Sequence, residues 1–351
     1  MSAEPRPGLR DTAAYISPQL DVPARLNTNE CPRPLPEGFF EELARAVREL
    51  PLHRYPDGQM ADLREALAGR TGHPFEGIWA ANGSNEVLLQ LLQAHGGPER
   101  RAVTFEPTYL LHARVCWLTQ TEHIQLRLPE DFVLTERQVA EAVDARPDVV
   151  FVCSPNNPTG NAQPVQVTEA LADALPASLV IVDEAYQEFG GETALKLVAD
   201  HPNVAVARTF SKAFAMAGAR IGYLLAAPEV VEDLQRVRLP YHLSALTQAA
   251  GIGGLRYQRE ADEILDAIRS QRDRIASTLS RIPGMTVYPS DANFVLFVPP
   301  VDARELWQAL LDRGVLVRDM TAVVPGALRV TAGAEAEVGL FLSAIQEVLE
   351  R

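Results

Sequence analysis

Lysine is almost missing from this chain of 351 residues: of its 32 basic side chains only two, Lys196 and Lys212, are lysines. Wherever a positive charge suffices the sequence uses arginine, so each lysine calls for a reason that arginine cannot meet. A primary amine of tunable pKa that reacts with a carbonyl is such a reason. Lys196 sits in the helix-like stretch Glu192-Thr-Ala-Leu-Lys and reads as solvated surface. Cysteine is scarce as well. Cys31, Cys116 and Cys153 are odd in number and widely spaced, which argues against a disulfide framework or a cysteine metal site and leaves free thiols. Apolar runs such as Val149 to Cys153 and Leu179 to Val182 fall far short of the roughly 20 residues a membrane helix needs, so no membrane partner is expected. Met1 to Arg10 has no apolar signal core, which makes the cytoplasm the expected location. Positive charge is in deficit: a net charge of -14 and a pI near 5.0 oppose binding to nucleic acid, so an anionic ligand must be held by a few placed arginines. The seven histidines show no metal-binding spacing, and most read as surface or cap residues. Gly251-Ile-Gly-Gly lacks the third glycine of a dinucleotide fingerprint, and neither lysine completes a phosphate-binding P-loop.

What is present is a chain with 47% hydrophobic positions, long enough for about two domains. Helical stripes alternate with short β-rich runs from about Leu43 to Pro240, the pattern of an α/β fold with a mostly parallel sheet. The remainder reads as a smaller α+β unit closed by a helix in which Val338, Phe341, Leu342, Ile345 and Leu349 share a face. The expected division is an N-terminal arm at 1–42 packing on the small domain, a large domain at 43–242 and a small domain at 243–351. Three buried-looking strands, Val149 to Cys153, Leu179 to Val182 and Val204 to Ala207, each end in a polar cluster. Ligands of open α/β sheets gather beyond the carboxyl ends of the strands, which makes Asn157, Asp183 and Lys212 candidates to converge on one ligand.

A cofactor aldehyde on a pyridinium ring requires an amine, a carboxylate for the ring nitrogen, and donors for the ring oxygen and phosphate. Lys212 in Arg208-Thr-Phe-Ser-Lys-Ala-Phe supplies the amine, and Asp183 at the end of Leu-Val-Ile-Val supplies the carboxylate. Ser211 and Arg220 are candidates to clamp the phosphate, and Asn156-Asn-Pro-Thr-Gly forms a turn with amide donors. Each signal taken singly has an ordinary explanation as a cap or turn. Their order, in a chain nearly free of lysine, makes coincidence a poor account.

The segments Arg25-Leu-Asn-Thr-Asn-Glu, Arg54-Tyr-Pro-Asp-Gly, Asn82-Gly-Ser-Asn-Glu, Glu106-Pro-Thr-Tyr, Ser154-Pro-Asn-Asn-Pro-Thr-Gly, Val182-Asp-Glu-Ala-Tyr, Thr209-Phe-Ser-Lys-Ala-Phe, Ser290-Asp-Ala-Asn-Phe-Val and Leu328-Arg-Val-Thr-Ala-Gly stand in order along the chain. In these it resembles the pyridoxal 5'-phosphate (PLP) dependent aminotransferases of fold-type I, and among them the histidinol-phosphate aminotransferase family. The resemblance implies an α/β fold with a large, mostly parallel-sheet domain and a smaller α+β domain. It implies that Lys212 holds PLP as a Schiff base and shuttles the substrate proton. Asp183 would face the pyridine nitrogen, Asn157 and Tyr186 the ring oxygen, and Tyr109 the ring face. Ser84, Asn85, Thr209, Ser211 and Arg220 would hold the phosphate, joined by Tyr55 from a neighbouring subunit, which makes a homodimer the expected assembly. Arg318 and Arg329 would bind the anionic groups of the substrate, and Tyr15 and Asn27 would lie in the arm covering it. The implied reaction moves an amino group from L-histidinol phosphate to 2-oxoglutarate in histidine biosynthesis. A threonine-phosphate decarboxylase type of PLP lyase and an aminotransferase for aromatic or other amino acids share these motifs and stay open. The chain departs from the family pattern at Asn85, where aspartate is usual, at Cys31, and at Phe210, where leucine is common.

Overall fold

Val149–Cys153, Leu179–Asp183 and Val204–Thr209 form adjacent parallel strands in which every residue is buried. Burial on both faces explains why these segments read as unbroken apolar runs rather than as alternating ones. The computed structural model describes residues 3–6, 8–10, 12, 14 and 18–350. In it these strands lie at the centre of a seven-stranded sheet whose order is Ile78–Ala81, Gly222–Leu225, Val204–Thr209, Leu179–Asp183, Val149–Cys153, Arg101–Glu106 and Glu122–Arg127. Gly222–Leu225 runs antiparallel to both of its neighbours, and the other six strands share one direction. The helix Ser84–His95 follows the edge strand Ile78–Ala81 and buries Val87, Leu88, Leu91 and Leu92, the helical stripe legible in its sequence.

A second, antiparallel sheet takes the order Arg318–Asp319, Leu328–Thr331, Phe294–Val298, Thr286–Val287. The closing helix Glu335–Leu349 buries Val338, Phe341, Leu342 and Ile345. Gly314 to Arg318, read from sequence as one strand, serves two sheets: Val315–Leu316 pairs in parallel with Ala24–Arg25, and Arg318–Asp319 pairs with Leu328–Thr331. The Trp307 indole donates to the Val317 carbonyl at 2.8 Å, between the two pairings, so that carbonyl is satisfied by a side chain where the ladder breaks. The helix Glu37–Glu49 crosses position 43, where the arm was expected to give way to the large domain.

The carboxyl ends of two central strands are clasped by an ion pair. Arg208 meets the Glu184 carboxylate at 2.9 Å and also donates to the Thr193 hydroxyl at 2.8 Å, while the Ala194 amide donates to Glu184 at 2.6 Å. Burial pushes the Glu184 carboxyl up from its ordinary value, and the Arg208 guanidinium and these hydrogen bonds oppose that shift. Removing one partner of such a pair strands the other charge. Arg208→Met is therefore expected to cost about 3–5 kcal/mol in denaturant unfolding, with part of the loss recovered in the Glu184→Gln/Arg208→Met double variant. Equal loss in the single and double variants would contradict this role.

Candidate active site

Lys212 follows the buried strand Val204–Thr209 by three residues, and its amine donates to the Thr28 carbonyl at 3.1 Å. The same nitrogen lies 5.8 Å from the centroid of the Tyr186 ring. Burial, then the nearby Arg329 and Arg220 charges, lower the amine's pKa to about 8, with Glu30 opposing. An amine so placed is neutral over a useful fraction of time near neutral pH, as attack on a carbonyl requires.

Asp183 ends its strand with only 2% of its surface exposed. One carboxylate oxygen accepts from the Ala185 amide at 3.2 Å, and the other meets His112 Nε2 at 3.2 Å. His112 is fully buried, stacked 4.6 Å from the Phe151 ring and edge-on to Tyr109 at 5.7 Å. His112 is an exception to the reading of most histidines as surface or cap residues: apolar packing covers the imidazole and a buried carboxylate engages it. His112, in the helix Leu110–Thr119, falls one turn after Tyr109 and so returns to the same face.

Three segments meet around Ser211 and Arg220. Thr209 Oγ1 donates to Ser211 Oγ at 3.0 Å, and Arg220 donates to the same Ser211 oxygen at 3.2 Å. Arg220 lies against the start of the helix Ser84–His95: a Cβ on Gly83, whose φ is +83°, would come within 2.5 Å of the guanidinium. A Cβ on Gly222 would meet the Ser84 nitrogen at 2.1 Å, so glycine at that position lets strand and helix N-terminus touch. Gly83 supplies no side-chain cap to that helix, and the end of the helix dipole faces a guanidinium and two hydroxyls. Asn85, in the first turn, accepts from the Tyr109 hydroxyl at 3.4 Å.

Arg329 is 7% exposed; it donates to the Asn157 side-chain oxygen and, at 3.2 Å, to the Asn27 carbonyl, with its guanidinium 4.9 Å from the Phe294 ring centroid. Arg318 is its register partner across the antiparallel strands. Asp319, next to Arg318, lies 3.7 Å from Arg304. Burial pushes the Tyr186 phenol up to about 12 against the lowering influence of Arg329 and Asn29, so it stays protonated as a donor at neutral pH. Asn29, absent from the sequence-based candidates, donates to the Tyr186 oxygen at 2.9 Å. Tyr55 is not part of this cluster: it is 78% exposed and stacks on Tyr241 with centroids 4.5 Å apart. Tyr15 lies outside the described residues.

The donor set fits PLP: an amine of lowered pKa, a buried carboxylate braced by an imidazole, and a helix N-terminus joined by hydroxyls and an arginine. The model of the aminotransferase class I and II family matches residues 23–345, and the chain belongs to that family. It is a PLP-dependent aminotransferase of fold-type I. Among curated relatives, histidinol-phosphate aminotransferase of Mycolicibacterium smegmatis is 48% identical over 354 residues, covering 98% of this chain and 93% of the relative. The enzyme of the same name from Thermobifida fusca is 48% identical over 351 residues, with 97% and 94% covered. The crystal structure of histidinol-phosphate aminotransferase from Sinorhizobium meliloti in complex with pyridoxal-5'-phosphate superposes with a TM-score of 0.88 at 26% identity, covering 99% of each chain.

The lowered amine pKa predicts that uptake of PLP by cofactor-free protein, followed by visible absorbance, accelerates as pH rises through about 8. A midpoint near the ordinary lysine value would contradict the desolvation argument.

Proposed function

We propose that the chain transfers the amino group of L-histidinol phosphate to 2-oxoglutarate, forming imidazole acetol phosphate and L-glutamate, and that it works as a cytoplasmic homodimer. The observation that carries the substrate is the register pairing of Arg318 with Arg329. Directly paired residues of an antiparallel sheet present their side chains on one face, so the two guanidinium groups offer donors and positive charge to an anionic substrate from the same side. A phosphorylated donor supplies that anion, and the shorter dicarboxylate 2-oxoglutarate supplies one at the far end in the return half. The names of relatives 48% identical across nearly the whole chain support the same substrate.

Bound PLP supplies an aldehyde and a protonated ring that draws electrons away from the substrate Cα. Asp183, held by His112 and the Ala185 amide, would face the ring nitrogen and favour its protonated form. Tyr186 would donate toward the ring oxygen, and Ser211, Thr209 and Arg220, joined by hydrogen bonds to one another, would hold the phosphate end. Lys212 Nζ would take the proton from the substrate Cα and deliver it to the cofactor's C4' carbon, a task suited to an amine near pKa 8. Arg329 aligns the substrate and brings its charge to the amine's surroundings.

The dimer reading rests on an exposed apolar patch. Tyr55 and Tyr241 lie stacked at the surface, with Leu52 and Leu239 also strongly exposed, and contact with a second copy would remove them from water. Sedimentation equilibrium is expected to give twice the 38.4 kDa chain mass; a monomer at micromolar concentration would contradict it.

Steady-state rates test the substrate. Glutamate formation from 2-oxoglutarate should be fastest with L-histidinol phosphate, and Arg318→Leu should raise the KM for that donor by about 10- to 100-fold with little change for phenylalanine. Stronger activity on phenylalanine would discard the substrate, and carbon dioxide release from threonine phosphate would turn the reading to a lyase.

A further inference from the structure

Asn29 joins the two halves of the site through groups whose hydrogen-bonding sense is fixed. Its backbone amide donates to Thr331 Oγ1 at 3.0 Å, and that hydroxyl donates back to Asn29 Oδ1 at 3.0 Å. Its carbonyl accepts from Asn293 Nδ2 at 3.1 Å. A hydroxyl has one proton, so with Thr331 donating to the side-chain oxygen, the Asn29 amide nitrogen is the atom that faces Tyr186 Oη, 2.9 Å away. The phenol is the acceptor in that contact, and its own proton must point elsewhere. Asn29, Thr331, Asn293 and Tyr186 are all at least nine-tenths buried, so water does not compete for these bonds. Asn29 has φ +54°, a conformation that asparagine, aspartate and glycine accept most readily.

We propose that Asn29 is a positioning residue that turns the Tyr186 phenol proton into the site toward the cofactor ring oxygen, with Thr331 locking the amide in the one orientation that does so. This rests on the reading of the Lys212 pocket as the PLP site. The adjacent carbonyl, that of Thr28, accepts from Lys212, and Thr331 lies two residues beyond Arg329 on one strand. The segment thus sets the ring-oxygen donor from the same strand that carries the substrate arginine.

The test reads the phenol directly. The full-length chain with 3,5-difluorotyrosine at position 186, whose titration falls in an accessible pH range, is followed by 19F NMR without cofactor. Asn29→Asp keeps shape and backbone preference but replaces the donor with an acceptor. Its phenol midpoint is expected to rise by more than about one unit, and that of Asn29→Gly by roughly half a unit to one unit. Thr331→Val should shift it in the same direction. An unchanged midpoint in both Asn29 variants overturns the proposal, and so does movement in Asn29→Asp alone, which would reflect charge and not a hydrogen bond. In cofactor-loaded protein, Asn29→Gly should move the pH midpoint of the visible band, and should not move it further once Tyr186→Phe is present. Movement that persists in the Tyr186→Phe background also overturns it. A wild-type protein that forms no visible band would refute the PLP reading instead, and the cofactor-free titration would still decide Asn29.

Discussion

The site depends on holding charged groups out of water at the carboxyl ends of adjacent strands without letting those ends part. Glu184 and Arg208 do this, since they follow and precede the candidate site residues: Asp183 is one position before Glu184, and Thr209, Ser211 and Lys212 come just after Arg208. A buried ion pair adds little net stability over an apolar pair of the same shape, but it tolerates no loosening, because each charge is costly once its partner leaves. That intolerance fixes the register on which the placement of Asp183 relative to Lys212 relies.

Desolvation is then used in two ways. At Lys212 it stands against the charge, and the neighbouring arginines add to it, so the amine is neutral at a pH where an exposed lysine is not. Around Tyr186 it keeps the phenol protonated far above neutrality, which preserves a donor. Asp183 is equally buried but is braced by His112 and a backbone amide. The use of arginine almost everywhere else in the chain fits this contrast: guanidinium groups stay charged, whereas the Lys212 amine has its pKa lowered.

Much of the sheet was legible because its central strands are buried on both faces and read as continuous apolar runs. The strand-end residues Asp183 and Lys212 stood out for the same reason, each following such a run. His112 and Asn29 were not legible. They act on Asp183 and Tyr186 across separations of 71 and 157 residues, and nothing local marks either as more than an ordinary helix or loop residue. The break after Leu316 was hidden too, since whether a short apolar run serves one sheet or two is decided by what pairs with it, here Ala24–Arg25 on one side and Leu328–Thr331 on the other. Tyr55 shows a further limit: its motif is clear, yet in a single chain its ring meets only Tyr241 at the surface.

The central claim, that the Lys212 pocket carries an amino group between two substrates in separate half-reactions, is tested most directly by the visible spectrum of PLP-loaded protein given L-histidinol phosphate with no keto acid present. The account predicts that the visible band is lost at close to one equivalent of donor and returns when 2-oxoglutarate is added. A band that is unaffected by the donor, or that is lost and not restored by 2-oxoglutarate, would contradict it.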